Sequence, residues 1–163
     1  MQATIKNRLI RFATLFFFLC IIVSTSSAQD CGPINSSKLK ELLIGMGFAV
    51  KNTNDQGKPD KFEIKNSNAG LDIPTTYEIS ASTNYIWLTV YLGKADYEDS
   101  AEINTELLKQ NAAIQPCLFY ITAKGNLMMG LPVENRAVTA AVLKRCNDFI
   151  SKNVGNTKFY WNH

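Results

Sequence analysis

Few residues in this chain have the chemistry for catalysis, and their spacing argues against an assembled reaction centre. The sole histidine, His163, is the last of 163 residues, whereas Ser-His-Asp or Cys-His chemistry needs its base held by a rigid scaffold. Cys20, Cys31, Cys117 and Cys146 include no C-x-x-C pair, so a thioredoxin-like redox motif is absent. Asp96, Glu98, Asp99, Glu102 and Glu106 form the densest carboxylate cluster. A carboxylate-dependent enzyme built on Glu98 or Glu102 would need one acid in a dry pocket with a raised pKa. Carboxylates in a first helical turn are stabilised by the helix dipole, so a solvated acidic face is the expectation, and no histidine is at hand to complete a transition-metal site. Gly45-Met46-Gly47 is a bare G-x-G after a helical pattern, and no Walker-type G-K-[ST] occurs. Asp55 to Asp60 places two carboxylates around Gly57 without the closing Glu of a calcium loop. Asn35-Ser36-Ser37 matches a glycosylation sequon, a three-residue pattern of little weight. The expectation is no catalytic residue, no cofactor and no metal.

Residues 1–28 read as an export signal. Lys6, Arg8 and Arg11 precede an apolar run from Phe12 to Val23, and Ser26-Ser27-Ala28 supplies small residues for cleavage before Gln29. The run is shorter than the roughly 20 residues of a spanning helix, so no stable membrane insertion is expected after cleavage. Neither Cys20 nor Cys31 follows the small residue that lipid attachment requires. The mature chain, 29–163, is expected to be one domain, periplasmic or secreted. Without Lys6, Arg8 and Arg11, 14 basic side chains face 14 acidic ones. That neutral balance and the lack of a basic stripe exclude nucleic acid as a partner. Three cysteines remain, an odd number, so at least one is unpaired within a monomer; Cys117 and Cys146 read as small buried hydrophobes and Cys31 as the freest.

The elements that must position any site follow from apolar spacing. Leu39, Leu42, Leu43 and Met46 predict a helix capped by Ser36 or Ser37 and stopped by Gly45 or Gly47. Four short strand segments are expected around Phe48–Val50, Phe62–Lys65, Tyr77–Ile79 and Tyr85–Leu92, with Pro74 breaking the ladder at its own position. A second helix carries Ile103, Leu107, Leu108 and Ala112, with Asn111 able to end it. Cys117–Thr122 and Leu127–Leu131, joined through Lys124-Gly125-Asn126, predict a hairpin. The last helix starts near Thr139 and turns Val142, Leu143, Cys146, Phe149 and Ile150 to one side. Lys158-Phe159-Tyr160-Trp161 follows it, with its placement open. Adjacent strands interrupted by single helices favour an α+β sandwich with a mainly antiparallel sheet.

One strand stands apart. Ile86, Leu88, Val90 and Leu92 alternate with Tyr85, Trp87, Thr89 and Tyr91, so both faces are apolar. Such a strand is either covered on both sides or displays Tyr85, Trp87 and Tyr91 to a protein partner. The expected core joins Phe119, Ile121, Leu127, Leu131 and Trp87 to Val142, Cys146 and Phe149.

The ordered pattern Leu107-Leu108-Lys109-Gln110-Asn111, Phe119-Tyr120-Ile121, Gly125-Asn126-Leu127 and Leu131-Pro132-Val133-Glu134-Asn135-Arg136 is similar to the YbjN family and the wider type III secretion chaperone-like superfamily. The upstream Leu39-Leu42-Leu43 helix, the meander ending in Trp87 and the terminal Trp161 fit the same pattern. The resemblance implies an α-β-β-β-α-β-β-α sandwich flanked by helices, commonly a homodimer, with no catalytic centre. Its relatives are generally cytoplasmic, whereas this chain reads as exported. The functional expectation is a non-enzymatic, exported protein-binding or chaperone-like module; an envelope stress-related or regulatory protein and a carboxylate-dependent enzyme are the alternatives.

Overall fold

The computed structural model describes residues 32–54, 60–68, 70–95 and 100–162. Residues 1–28, Cys31, the Asp55–Pro59 turn, Asp96, Glu98, Asp99 and His163 lie outside the described residues. The order is α1 (Ser36–Gly45), β1 (Lys51–Asn52), β2 (Lys61–Asn68), β3 (Leu71–Ile79), β4 (Tyr85–Lys94), α2 (Ser100–Ala113), β5 (Leu118–Ile121), β6 (Asn126–Glu134), α3 (Ala140–Asn156) and α4 (Lys158–Trp161). Six strands form one antiparallel sheet in the order β1-β2-β3-β4-β6-β5. The α+β class and the helix–meander–helix–hairpin–helix order agree with the sequence reading.

Local chemistry sets the helix ends. Asn35, not Ser36 or Ser37, caps α1 by accepting from the Lys38 N–H at 2.9 Å, and Gly47 follows the helix at φ +87°, a left-handed conformation that glycine adopts without a Cβ clash. Thr139 caps α3 by accepting from the Val142 N–H at 3.2 Å. Pro74 lies within β3 opposite Lys65 rather than breaking the strand. The ladder to β4 begins one residue later, at Thr75–Val90, so the missing proline N–H coincides with the end of pairing on that side.

The period-2 alternation divides the sheet cleanly. Phe62, Ile64, Ile73, Tyr77, Ile86, Leu88, Val90, Phe119, Leu127, Met129 and Leu131 face one side and are buried. Helix α3 lies across this side on β2, β3 and β6, with α1 packed against α3 and α2 set along β5. The buried stripe of α3 is Leu143, Asn147, Ile150, Ser151 and Val154. Phe149, expected inside, is instead exposed, because a stripe centred on Asn147 rotates it outward. Asn147 is buried without loss of bonding. Its Oδ1 accepts from Tyr77 Oη and from Asn66 Nδ2, each at 2.8 Å, and its Nδ2 donates to Asn66 Oδ1 at 2.9 Å.

Two more asparagine side chains act as short strand mimics. Asn111 does not end α2; its amide reaches β5, accepting from Phe119 N–H at 2.6 Å and donating to the Phe119 carbonyl at 3.2 Å. Buried Asn135 likewise binds both backbone groups of Ile34, at 3.1 and 3.0 Å, and donates to the Thr83 carbonyl at 2.8 Å. These amides tie β5 to α2 and the segment before α1 to the sheet end. In α4, Trp161 Nε1 donates to the Val154 carbonyl at 3.2 Å, while Phe159 is exposed.

Candidate functional site

The second side of the sheet carries the residues of opposite parity. No helix covers it among the described residues. Register places Glu78, Trp87 and Pro132 side by side on β3, β4 and β6, and Thr76, Thr89, Gly130 and Leu118 in the next row. Tyr91, Met128 and Tyr120 form a third row. Tyr85, Trp87 and Tyr91, the residues singled out from the sequence, therefore share this open face; Tyr85 is 47% and Tyr91 55% exposed.

Trp87 is half-buried on this side, not part of the helix-covered core. The expected burial fails because strand parity puts Trp87 opposite Ile86 and Leu88, which occupy the α3 side. Ile121 fails for another reason: it shares the core side but stands 45% exposed at the end of the outermost strand, beyond α3.

Trp87 and Tyr120 both lie over Gly130. A Cβ at Gly130 would stand 3.0 Å from the Tyr120 ring and 3.5 Å from the Trp87 ring, so both rings settle over the bare backbone of β6. Trp87, Leu118 and Tyr120 line a shallow cavity of about 210 Å³ there. Burial, and secondarily the Glu78 carboxylate, push the Tyr120 hydroxyl up from its ordinary value. Glu78 in turn pairs with Lys61 Nζ at 2.7 Å. The result is an aromatic platform on β4, β6 and β5 beside a polar margin on β2 and β3. Such a surface can stack against apolar or planar groups and accept hydrogen bonds at its rim.

Tyr120, Leu118 and Gly130 were missed by sequence reasoning. The alternation in Cys117–Thr122 marks Tyr120 as opposite in face to Phe119, but only the strand order β4-β6-β5 brings it beside Trp87.

The described carboxylates of the cluster, Glu102 and Glu106, line an open cavity of about 430 Å³ with Ile103, Phe159 and Tyr160, not a dry pocket. Glu102 and Glu106 are exposed on α2, and Glu106 pairs with Lys109. Among the described residues no three His, Cys, Asp or Glu side chains are grouped to hold a metal ion, and no helix is long and apolar enough to cross a membrane. Cys117 is buried, and burial first and the neighbouring Cys146 second push its thiol up to about 12, the opposite of an activated thiolate.

No family model and no curated protein matches the sequence. The structure is similar to SpcU in the heterodimeric ExoU–SpcU complex from the type III secretion system of Pseudomonas aeruginosa, with a TM-score of 0.53 at 14% identity over 75% of this chain and 96% of that one. At that identity the likeness is one of fold.

Proposed function

We propose that this chain is a non-enzymatic, chaperone-like protein-binding module, exported by way of residues 1–28, that holds partner segments on the open face of its sheet. The observation that carries this reading is the Trp87–Tyr120 platform over Gly130, an aromatic surface that the described helices leave uncovered. Packing over Gly130 accounts for part of the two rings, and the apolar area they leave in solvent is the kind from which an association surface gains most. The fold is compatible with this use, since SpcU is a type III secretion chaperone found in complex with ExoU. Kinship with the YbjN branch and a role in envelope stress belong to the same proposal, on the motifs quoted above.

The test is cross-linked capture from the cell envelope, comparing the native protein with Trp87→Ser. A partner retained by the first and lost by the second supports the reading; identical capture by both removes the face from the account. Intact mass of the exported protein tests cleavage before Gln29, and retention of residues 1–28 in a membrane fraction would reverse the assignment of address.

Exposed Tyr85 and Tyr91 on the same strand favour a second use of this face, weak homodimerisation. Sedimentation across a concentration series with Tyr91→Glu as the disruptive variant checks it; a monomer at every concentration would exclude self-association.

A further inference from the structure

Among the helices, α4 lies against α2 and α3. Buried Thr157 fixes its start, with Oγ1 donating to the Asn153 carbonyl at 2.7 Å, and the Trp161 indole ties its end to the Val154 carbonyl. Phe159 stands two residues from Trp161, about 200° round a helix, so anchoring the indole turns the Phe159 ring outward, to 84% exposure. That ring meets Tyr160 edge-on, with centroids 5.7 Å apart and planes at 82°. With Ile103 the two rings form the apolar side of the open groove of about 430 Å³, and Glu102 and Glu106, about one turn apart on α2, form its acidic side. Both charges that line the groove are negative. Lys109, which pairs with Glu106, and Lys158 are exposed and line no part of it, and the Glu102 carboxylate has no ion-pair or hydrogen-bond partner among the described residues.

We infer that this groove takes an arginine side chain presented by a protein partner, stacked on Phe159 and Tyr160 and ion-paired to Glu102. The assignment rests on the protein-binding reading and adds to it a second contact, on the helices rather than on the sheet. Charge complementarity selects the occupant. An acidic segment would be repelled by Glu102 and Glu106, and an aliphatic side chain closing the groove would strip water from both carboxylates without replacing it. A cation is drawn by the faces of the aromatic rings and by the carboxylates beside them. Of the two basic side chains, a guanidinium is planar and more weakly hydrated than an ammonium, and its forked donors match a carboxylate, so it can stack and pair at once. The aliphatic stem of the same side chain covers Ile103.

The experiment is an NMR titration of the purified protein with three capped alanine peptides whose central residue is arginine, lysine or citrulline, the neutral isostere of arginine. The arginine peptide is expected to give saturable shifts at Ile103, Phe159 and Tyr160, and the citrulline peptide to bind about tenfold more weakly, having lost the ion pair and the cation–π contact together. The lysine peptide should fall between them. Glu102→Gln and Phe159→Ala change exposed side chains, so both variants should fold, and each should weaken the arginine peptide about two- to fivefold. Equal binding of arginine and citrulline, lysine as tight as arginine, unchanged binding in both variants, or no saturable shift at the groove would each overturn the assignment. Shifts spread evenly over exposed Glu41 and Asp148 would do the same, since they mark unspecific attraction. The two readings fail separately: without arginine binding the open face is still decided by Trp87→Ser in partner capture, and identical capture by that variant leaves the groove to these peptides.

Discussion

Along β4, neighbouring residues belong to two different surfaces. Ile86, Leu88 and Val90 are sealed beneath α3 and its partners, while Tyr85, Trp87 and Tyr91 stand on a side that no helix among the described residues covers. Both sets are apolar, so composition alone does not separate them. The difference lies in what each can touch. Leu88 meets Tyr77 and Leu131 on adjacent strands with a helix above, and is completely desolvated. Trp87 meets Glu78 and Pro132 and leans over a glycine, which leaves it only half-desolvated. One strand thus contributes stability from one face and unspent apolar area from the other, and only the second is available to a partner.

If this division holds, substitutions on the two faces will separate by size. Phe119→Ala on the covered side is expected to cost about 3–5 kcal/mol and Leu88→Ala about 2–5 kcal/mol, through lost transfer energy and the cavity left behind. Urea denaturation measures both. A cost below about 1 kcal/mol at Leu88 would show that α3 does not seal this face. Next in size is Asn147→Ala, which strips the Tyr77 hydroxyl and the Asn66 Oδ1 of their partner at once, while Asn66 Nδ2 keeps its bond to Thr75 Oγ1. About 2–3 kcal/mol is expected, mostly from the buried Tyr77 hydroxyl left unpaired. Tyr77→Phe in the same background should recover part of it, because one orphaned hydroxyl is then removed.

The covered side also has an alkaline signature. Burial raises the Cys117 thiol from 9.0 to about 12 and moves the Tyr77 hydroxyl in the same direction. Below about pH 9 the thiol is protonated in both folded and unfolded chains, and its contribution is fully present. Above that the unfolded chain releases the proton first, so stability falls towards pH 12 by about 1.4 kcal/mol per pH unit for this group. Urea midpoints measured at rising alkaline pH check the slope. Cys117→Val should flatten it, and an unchanged slope would assign the loss to other groups.

Much of this architecture was legible in the sequence, for reasons that also mark where legibility ends. Leu39 and Leu43 share one helical face, and the Phe119 and Leu127 runs flank Gly125-Asn126, so α1 and the β5–β6 hairpin follow from local periodicity. Tyr85, Trp87 and Tyr91 share a face by the same rule. Which face receives the helices is a tertiary choice that periodicity cannot make when both are apolar, and Trp87 was misplaced for that reason. The asparagines were unreadable for a related one. Asn111, Asn135 and Asn147 resemble surface or terminating residues in isolation, yet Asn135 and Asn147 complete hydrogen bonds to groups 101 and 81 positions away, and Asn111 reaches from its helix to the backbone of Phe119 on the next strand.

The smallest stability effect is the most discriminating between the faces. Trp87→Ser removes a large ring from β4, yet that ring is only partly buried and lies over Gly130 and its neighbours rather than beneath α3. The expected cost is about 1 kcal/mol, well under the burial value of a fully enclosed aromatic. Partner retention, by contrast, should collapse, since a central aromatic anchor commonly contributes 2 kcal/mol or more, roughly a thirtyfold loss of affinity. The two readouts therefore move in opposite order from Leu88→Ala, whose expected loss is of stability rather than of partner binding. A Trp87→Ser variant as unstable as Leu88→Ala would mean that Trp87 is core and that the sheet has no free face. Full stability with undiminished partner capture would keep the face open but take association away from it. Only a folded protein that has lost its partner preserves the division of β4 into a structural side and a binding side.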